Sequence, residues 1–349
     1  MGAIDADAHV IECPRTFEYL DPEFRRFKPW ITTKVTADVA ISDNHGGVQK
    51  DFWVLDSRLQ QMEANVGSNT TKDAREMANI AARLAHMDEL NIDVQVLYPT
   101  VFLRPWTLDP VCEYAICKAY NRWLADIWSQ APKRLRWTAM VPLMSMDKVE
   151  SELRFAKDHG ACGVFLRGLE CDKQFSHHYF FRLYEIAEAL DLPICIHSGN
   201  GSFSSYGIYG DTSGLGRGKL QVAAAFHSLL LGDIPAKFPK LRWGFVEASS
   251  EWIPFALNDL GIRLKRKGKR LSKTILRDNN MFVACLVTDS LDYILPFAGE
   301  GQLVVGTDYG HADNSAEIEA MRKLKSDGKI PAQVADRILN DNAKALYGL

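Results

Sequence analysis

Ile4-Asp5-Ala6-Asp7-Ala8-His9-Val10-Ile11-Glu12 stands almost at the start of the 349-residue chain and sets a carboxylate and an imidazole two positions apart in a short, apolar-punctuated run. Successive side chains of a β-strand face opposite ways, so Asp7 and His9 share a face and can grip one cation. Two later apolar runs also end in a candidate ligand, Pro193-Ile194-Cys195-Ile196-His197 and Leu303-Val304-Val305-Gly306-Thr307-Asp308. Together the three predict a metal site assembled from strand ends.

Composition narrows the partners. An apolar content of 47% over this length fills a sizeable core, and disorder is not indicated. With 41 basic and 44 acidic residues the formal charge is −3, which implies neither a nucleic-acid face nor an acidic tail. A small-molecule partner is the expectation. The seven cysteines are scattered without a Cys-x-x-Cys pair and read as reduced core thiols of a cytoplasmic protein. No basic segment followed by an apolar stretch opens the chain, and no run approaches the roughly 18 apolar residues of a membrane helix, so neither a membrane span nor an anchor is expected.

Short apolar runs alternate with longer segments of helical period, the mark of repeated strand–helix units and a parallel sheet. Eight such runs are predicted as strands: Ala3 to His9, Val94 to Pro99, Trp137 to Val141, Gly163 to Leu166, Pro193 to His197, Trp243 to Glu247, Met281 to Ala284 and Leu303 to Thr307. Helical stretches between them include Ala74 to Leu90, Cys112 to Gln130, Lys148 to His159, Tyr179 to Ala189 and Leu220 to Leu231. Eight repeats in this length fit a closed (β/α)₈ TIM barrel, an α/β fold, as a single domain over 1–349. Two stretches break the rhythm. Residues 17–68 read as an inserted hairpin or cap after the first strand, with a turn at Asn44-His45-Gly46-Gly47. Residues 199–218, rich in glycine and carrying Phe203, Tyr206 and Tyr209, read as a mobile aromatic loop over the same mouth.

In such a barrel the C-terminal strand ends face one pocket, so Asp7, His9, His197 and Asp308 are expected to converge. Two imidazoles and two carboxylates suit a borderline divalent ion, zinc first, with manganese or iron as alternatives. Taken singly, each residue also has a bland reading as a cap or a satisfied core group.

These residues carry a resemblance. Asp5 to Glu12, Leu97-Tyr98-Pro99-Thr100, Cys195-Ile196-His197-Ser198-Gly199, Phe238-Pro239-Lys240-Leu241-Arg242, Gly306 to His311 and the closing Asn342 to Leu349 resemble, in order, the amidohydrolase superfamily, in the branch related to aminocarboxymuconate semialdehyde decarboxylase and the hydroxybenzoate-type decarboxylases. The resemblance implies one ion held by Asp7, His9, His197 and Asp308. Two-metal members usually bridge their ions with a modified lysine on the fourth strand, where this chain has Phe165-Leu166-Arg167-Gly168. Arg167 is then either a carboxylate-binding group or an ion-pair partner. Strand six of the decarboxylases ends in a histidine with a glutamate three residues on; here those positions hold Glu247 and Ser250. Glu247 can act as acid–base group, bind the metal or hold its water, or be a buried structural carboxylate. His227 could reach the pocket from its helix and supply the missing imidazole, or simply pack there. His311 is expected at the pocket rim or behind Asp308, Glu12 can bind a loop or a ligand, and His177-His178 read as exposed capping residues.

Two chemistries follow. In the first, a hydrolase of a small amide, ester, thioester, lactone or C–C substrate, Asp308 is the base, Glu247 or His227 protonates the leaving group, and His227 or Arg167 helps the metal with the oxyanion. In the second, a non-oxidative decarboxylase of an aromatic or unsaturated hydroxy acid, Arg167 and Arg104 grip the carboxylate. The loss of the strand-six histidine favours the hydrolase. A binding module without catalysis would not need four intact ligands. Tyr98, with Trp53, Phe102, Trp106 and the aromatic loop, suggests a flat or apolar substrate. Related barrels imply a homodimer.

Overall fold

The opening run forms strand β1 (Ala3–His9), buried at every position. The computed structural model describes residues 2–36, 48–56, 58–62, 65–209 and 214–349. β1 pairs in parallel with β2 (Ile92–Tyr98), and β3 (Leu135–Ala139), β4 (Ala161–Arg167), β5 (Ile194–His197), β6 (Trp243–Val246), β7 (Met281–Cys285) and β8 (Leu303–Val305) follow in sequence order. The predicted runs are these eight strands, displaced by two residues or fewer at each end. Fully buried residues such as Val96, Val164, Ile196 and Phe245 fill the interior and its jacket, each stabilising by about 1.5–3 kcal/mol.

Helices α1 (Ile80–Glu89), α2 (Pro110–Gln130), α3 (Met146–Asp158), α4 (Phe181–Ala189), α5 (Leu220–Leu231), α6 (Ile253–Arg266) and α7 (Leu291–Ala298) alternate with the strands. Local chemistry sets their ends. Asp109 accepts hydrogen bonds from the amides of Val111 and Cys112, and Pro110 pre-sets the first turn of α2. The helix expected over Ala74 to Leu90 is divided into Lys72–Arg75 and α1, because Met77 takes a left-handed φ of 56° and Asn79 caps a new start on the amide of Ala82.

The barrel closes between β8 and β1. The Asp308 amide donates to the Asp7 carbonyl at 2.9 Å and the His9 amide to the Tyr309 carbonyl at 3.0 Å. Gly306 makes the approach possible, since a Cβ there would lie 2.3 Å from the Cβ of Asp7.

The insertion after β1 is a three-stranded antiparallel sheet, Trp30–Thr36, Val48–Leu55 and Arg58–Gln61, one strand more than a hairpin. Its predicted turn at 44–47 lies outside the described residues. Trp53 anchors the sheet, 99% buried with its ring edge-on to Phe17 at 5.2 Å. Within the stretch read as a mobile aromatic loop, Phe203–Tyr209 is helical, started by Ser202, whose hydroxyl accepts from the Ser205 amide and whose carbonyl accepts from the Tyr206 amide. All seven cysteines are unpaired, six of them buried. Among the described residues no helix is long and apolar enough to cross a membrane.

Candidate metal centre

At the C-terminal mouth, His9 at the end of β1 and His197 at the end of β5 turn their Nε2 atoms toward each other, 3.1 Å apart. Their Nδ1 atoms donate to backbone carbonyls, His9 to Pro99 at 3.0 Å and His197 to Ser198 at 2.8 Å. A carbonyl can only accept, so in each neutral ring the proton is committed to Nδ1 and Nε2 is left as a bare lone pair. Two lone pairs at this distance call for a cation between them.

Three carboxylates face the same point. Asp7 Oδ1 is 3.3 Å from His197 Nε2 and 3.5 Å from His9 Nε2. Glu247 Oε2 is 3.1 Å from His197 Nε2, and Asp308 Oδ1 is 3.4 Å from His9 Nε2. All five residues are buried, and no well-aligned hydrogen bond satisfies Glu247 Oε2 or either oxygen of Asp308, although His311 Nδ1 lies 2.6 Å from Asp308 Oδ1. Orphaned buried carboxylate oxygens are costly unless a cation meets them. Ligand atoms of Asp7, His9, His197 and Glu247 lie within 4.8 Å of one another, and so do those of His9, Glu247, Asp308 and His311. The donor set fits a divalent ion.

Electrostatics agree. Burial, reinforced by His311, pushes His9 down to about 3, which keeps its ring neutral. Burial raises Asp7, but the His197 and His9 imidazoles outweigh it and hold the carboxyl below its ordinary range. Burial and the neighbouring Asp308 and Asp313 push Glu247 far upward against the pull of His197, while burial with Asp313 and Asp7 does the same to Asp308. His197 is held above its ordinary value by Glu247 and Asp7 although burial lowers it. Without a cation the cluster therefore gathers protons. A metal ion would displace them.

Glu247 and Asp308 both have left-handed backbones, φ 58° and 53°, uncommon for residues with a side chain. They stand just beyond β6 and β8, where this conformation turns the chain off the strand direction. Buried Asp289 secures the turn after Glu247 by accepting from the Ser250 amide and hydroxyl, each at 2.7 Å, and from the Ser249 hydroxyl. Ser250 thus serves the turn. His311 backs Asp308, with Nδ1 2.6 Å from Asp308 Oδ1, its ring over His9 at 3.9 Å, and Nε2 2.9 Å from the Thr100 hydroxyl. Glu12 binds a loop, accepting from the amides of Thr100 and Val101.

The structure decides between the two readings left open for His227 and for Arg167, and two expectations about aromatic residues need correction. His227 does not reach the pocket: buried Val222, Phe226 and Leu229 turn the other side of α5 to the barrel, and the His227 ring sits 2.9 Å from Asp259 of α6. Arg167 is held in a two-point ion pair with Glu170, at 2.8 and 2.6 Å, and donates to the Arg104 carbonyl. That geometry commits its fork and removes it as an oxyanion or carboxylate grip. Tyr98 is fully buried, its hydroxyl donating to Tyr347, which in turn donates to the Ala6 carbonyl. Tyr98 packs under the ring of His197 at 5.0 Å and lines no mouth. Trp53, Phe102 and Trp106 are likewise core residues; the aromatics at the mouth are Phe52, Phe203 and Tyr206. Arg104 does line that mouth. His177 caps the turn His178–Phe180 through Nδ1, as the sequence suggested.

One supporting chain had not been anticipated. Arg83, wholly buried, donates to the His9 carbonyl and to Gln95, Gln95 donates to Asp5, and Asp5 accepts from the Thr307 amide and hydroxyl. It ties β1 to β2 and to the residues after β8. The period-two series Asp5, Asp7, His9 was its visible signal.

A family model described as amidohydrolase matches residues 4–349. The chain belongs to the amidohydrolase family. Among solved structures this amidohydrolase is similar to one called amidohydrolase map2389c from Mycobacterium avium subsp. paratuberculosis K-10, at 16% identity and TM-score 0.78, covering 100% of this chain and 98% of that one. It is similar to 5-carboxyvanillate decarboxylase from Novosphingobium aromaticivorans DSM 12444, complexed with manganese and a nitrobenzoic acid, at 20% identity and TM-score 0.61, covering 76% and 79%. It is also similar to 4-oxalomesaconate hydratase from Rhodopseudomonas palustris, at 15% identity and TM-score 0.63, covering 99% and 95%. No curated protein matches the chain. These likenesses establish the shared barrel, on which amidohydrolase-superfamily members with different reactions are built.

Proposed function

We infer that the protein is a metal-dependent hydrolase of a neutral carbonyl group in a small molecule, with Asp7, His9, His197, Asp308 and Glu247 around one divalent ion. When bound, the ion supplies Lewis acidity and lowers the pKa of its water from about 15.7 toward about 7. Zinc or manganese suits the mixed imidazole and carboxylate set. The other steps belong to the chain's own groups. Asp308, with His311 Nδ1 2.6 Å from its Oδ1, accepts the proton of the attacking water. Glu247, ionised when substrate binds, takes that proton over from Asp308 and passes it to the leaving group. His9 and His197, their Nδ1 protons tied to carbonyls, stay oriented as neutral donors of lone pairs.

One observation carries this reading over the carboxy-lyase alternative. Glu247 stands where the decarboxylases' strand-six histidine is expected and adds a third carboxylate to the centre. Three carboxylates around a divalent ion leave a net charge of about −1. An anionic carboxylate brought within about 4 Å would be repelled by about 4 kcal/mol at an effective dielectric of about 20, whereas a neutral carbonyl would not. Arg167, committed to Glu170, gives no relief. The test is to measure metal content and turnover on two panels, activated aryl esters and thioesters against hydroxybenzoate-type acids. Carbon dioxide release from the acids without ester or thioester turnover would overturn the hydrolase reading in favour of the lyase.

A further inference from the structure

His311 follows β8 on a turn that fixes where its ring stands. Asp308 and Gly310 take left-handed backbones, φ 53° and 98°, and the His311 amide donates back to the Asp308 carbonyl at 3.1 Å. The segment after the inserted sheet clamps the other side, the Gly67 amide donating to the Gly310 carbonyl and the Ala312 amide to that of Asn65. A Cβ at Gly67 would lie 2.5 Å from the His311 carbonyl oxygen, so glycine is what permits this approach. The buried ring of His311 lies over that of His9 at 3.9 Å.

Its neighbours assign its proton. The Thr100 hydroxyl gives its own hydrogen to the Val10 carbonyl at 2.8 Å, so toward His311 Nε2, 2.9 Å away, it accepts. In the neutral ring Nε2 therefore carries the hydrogen, and Nδ1 is a bare lone pair 2.6 Å from Asp308 Oδ1. Two acceptors this close repel unless a proton or a cation meets them. A proton on Asp308 satisfies that one contact. A cation answers more: His9, Glu247, Asp308 and His311 bring ligand atoms within 4.8 Å of one another, and Glu247 Oε2, both Asp308 oxygens and His311 Nδ1 are all buried without a well-aligned hydrogen bond. The lone pairs of His9 and His197 are in the same state at the same centre.

We propose that His311 is itself a ligand of the ion, through Nδ1, and a third imidazole of the centre. The two four-donor groups are then halves of one set, joined at His9 and Glu247. A neutral imidazole leaves the net charge of the centre unchanged. Three imidazoles and three carboxylates exceed the four donors of a tetrahedral zinc site and suit an ion that accepts six, manganese(II) or iron(II). Asp308, the base of the proposed reaction, is the donor that can leave, and five remain. This ligand rests on the one-ion centre of the proposed function and not on the reaction that it serves.

The test loads the metal-stripped protein with cobalt(II) and with manganese(II). In proton NMR of the cobalt form each bound imidazole gives one paramagnetically shifted N–H signal, so the wild type should show three and His311→Gln two. The visible bands of cobalt should be weak, as in six-coordinate sites, rather than intense, as in four-coordinate ones. Manganese titration separates a ligand from a positioning residue. A glutamine amide reaches the place of Nε2 and still donates to Thr100, whereas an asparagine oxygen takes the place of Nδ1. His311→Gln should thus lose more than about 100-fold in manganese affinity, beyond the roughly 10–100-fold of a supporting residue, and His311→Asn less. Two shifted signals or intense bands in the wild type, or a loss in His311→Gln no larger than in His311→Asn, would overturn the ligand. The wild-type spectra decide even where a variant does not fold. A wild type that binds neither ion would overturn the centre and the proposed function together, whereas one ion held by two imidazoles would remove His311 alone.

Discussion

His9 Nε2 and His197 Nε2 lie 3.1 Å apart, each ring having given its other nitrogen to a backbone carbonyl. The pair is pre-set for a cation before any ion arrives, because the carbonyls of Pro99 and Ser198 fix the tautomers. Chelation should therefore destabilise the protein, and adding back zinc or manganese should raise the melting temperature. At an ion concentration about 100 times Kd the gain is about 2.7 kcal/mol. Thermal melts with and without chelator check this, and unchanged curves would count against a bound ion.

Asp308 is buried at the centre, its Oδ1 3.4 Å from His9 Nε2 and 2.6 Å from His311 Nδ1. Asp308→Asn removes the proton acceptor and should lower turnover by about 10²–10⁴-fold while the fold persists. Steady-state kinetics and circular dichroism on the same sample separate the two effects. Normal turnover would remove Asp308 from the mechanism.

Glu247→Gln reduces the carboxylates at the centre from three to two. The affinity for the ion should fall by at least about 10-fold, whereas the chelated protein should change little in stability, because Glu247 is already protonated there. Metal titration and melting of the stripped variant test both. An unchanged affinity would make Glu247 a bystander.

Thr100 holds His311, which backs Asp308. Its hydroxyl also donates to the Val10 carbonyl at 2.8 Å, so it accepts the Nε2 proton of His311. Thr100→Val should lower kcat about 10-fold with KM little changed, since it frees the His311 ring that packs on His9 and beside Asp308 without touching substrate. A loss confined to KM would contradict this positioning role.

Glu113 is buried and accepts from the Met144 amide at 2.6 Å, and burial raises its carboxyl from 4.5 to about 7. The folded state therefore holds its proton more tightly than the unfolded chain. Its contribution is fully present below about pH 4.5 and is lost as pH rises through about 7, a decline of up to about 3 kcal/mol. Glu113→Gln should flatten the stability profile across that window in denaturant titrations at several pH values. An unaltered slope would assign it to other groups, buried Glu12 among them, which is raised to about 7 by the same cause.

The amino-acid sequence alone determined the order of the eight strands and the gathering of Asp7, His9, His197 and Asp308. Both are local properties: a period of two within a run, and a ligand at the end of that run. Gly306 belongs with them as a residue, but its purpose, the close approach to Asp7, emerges only when β8 meets β1. Tertiary structure decided everything that depends on distances between segments far apart in the chain. It turned Glu247 into the centre, sent His227 to Asp259 on the helix side, and spent Arg167 on Glu170. It also linked Arg83, Gln95, Asp5 and Thr307 beneath the site. Periodicity tells which face of an element is buried, whereas the partner that face meets is chosen by barrel closure and by the path of the inserted segments.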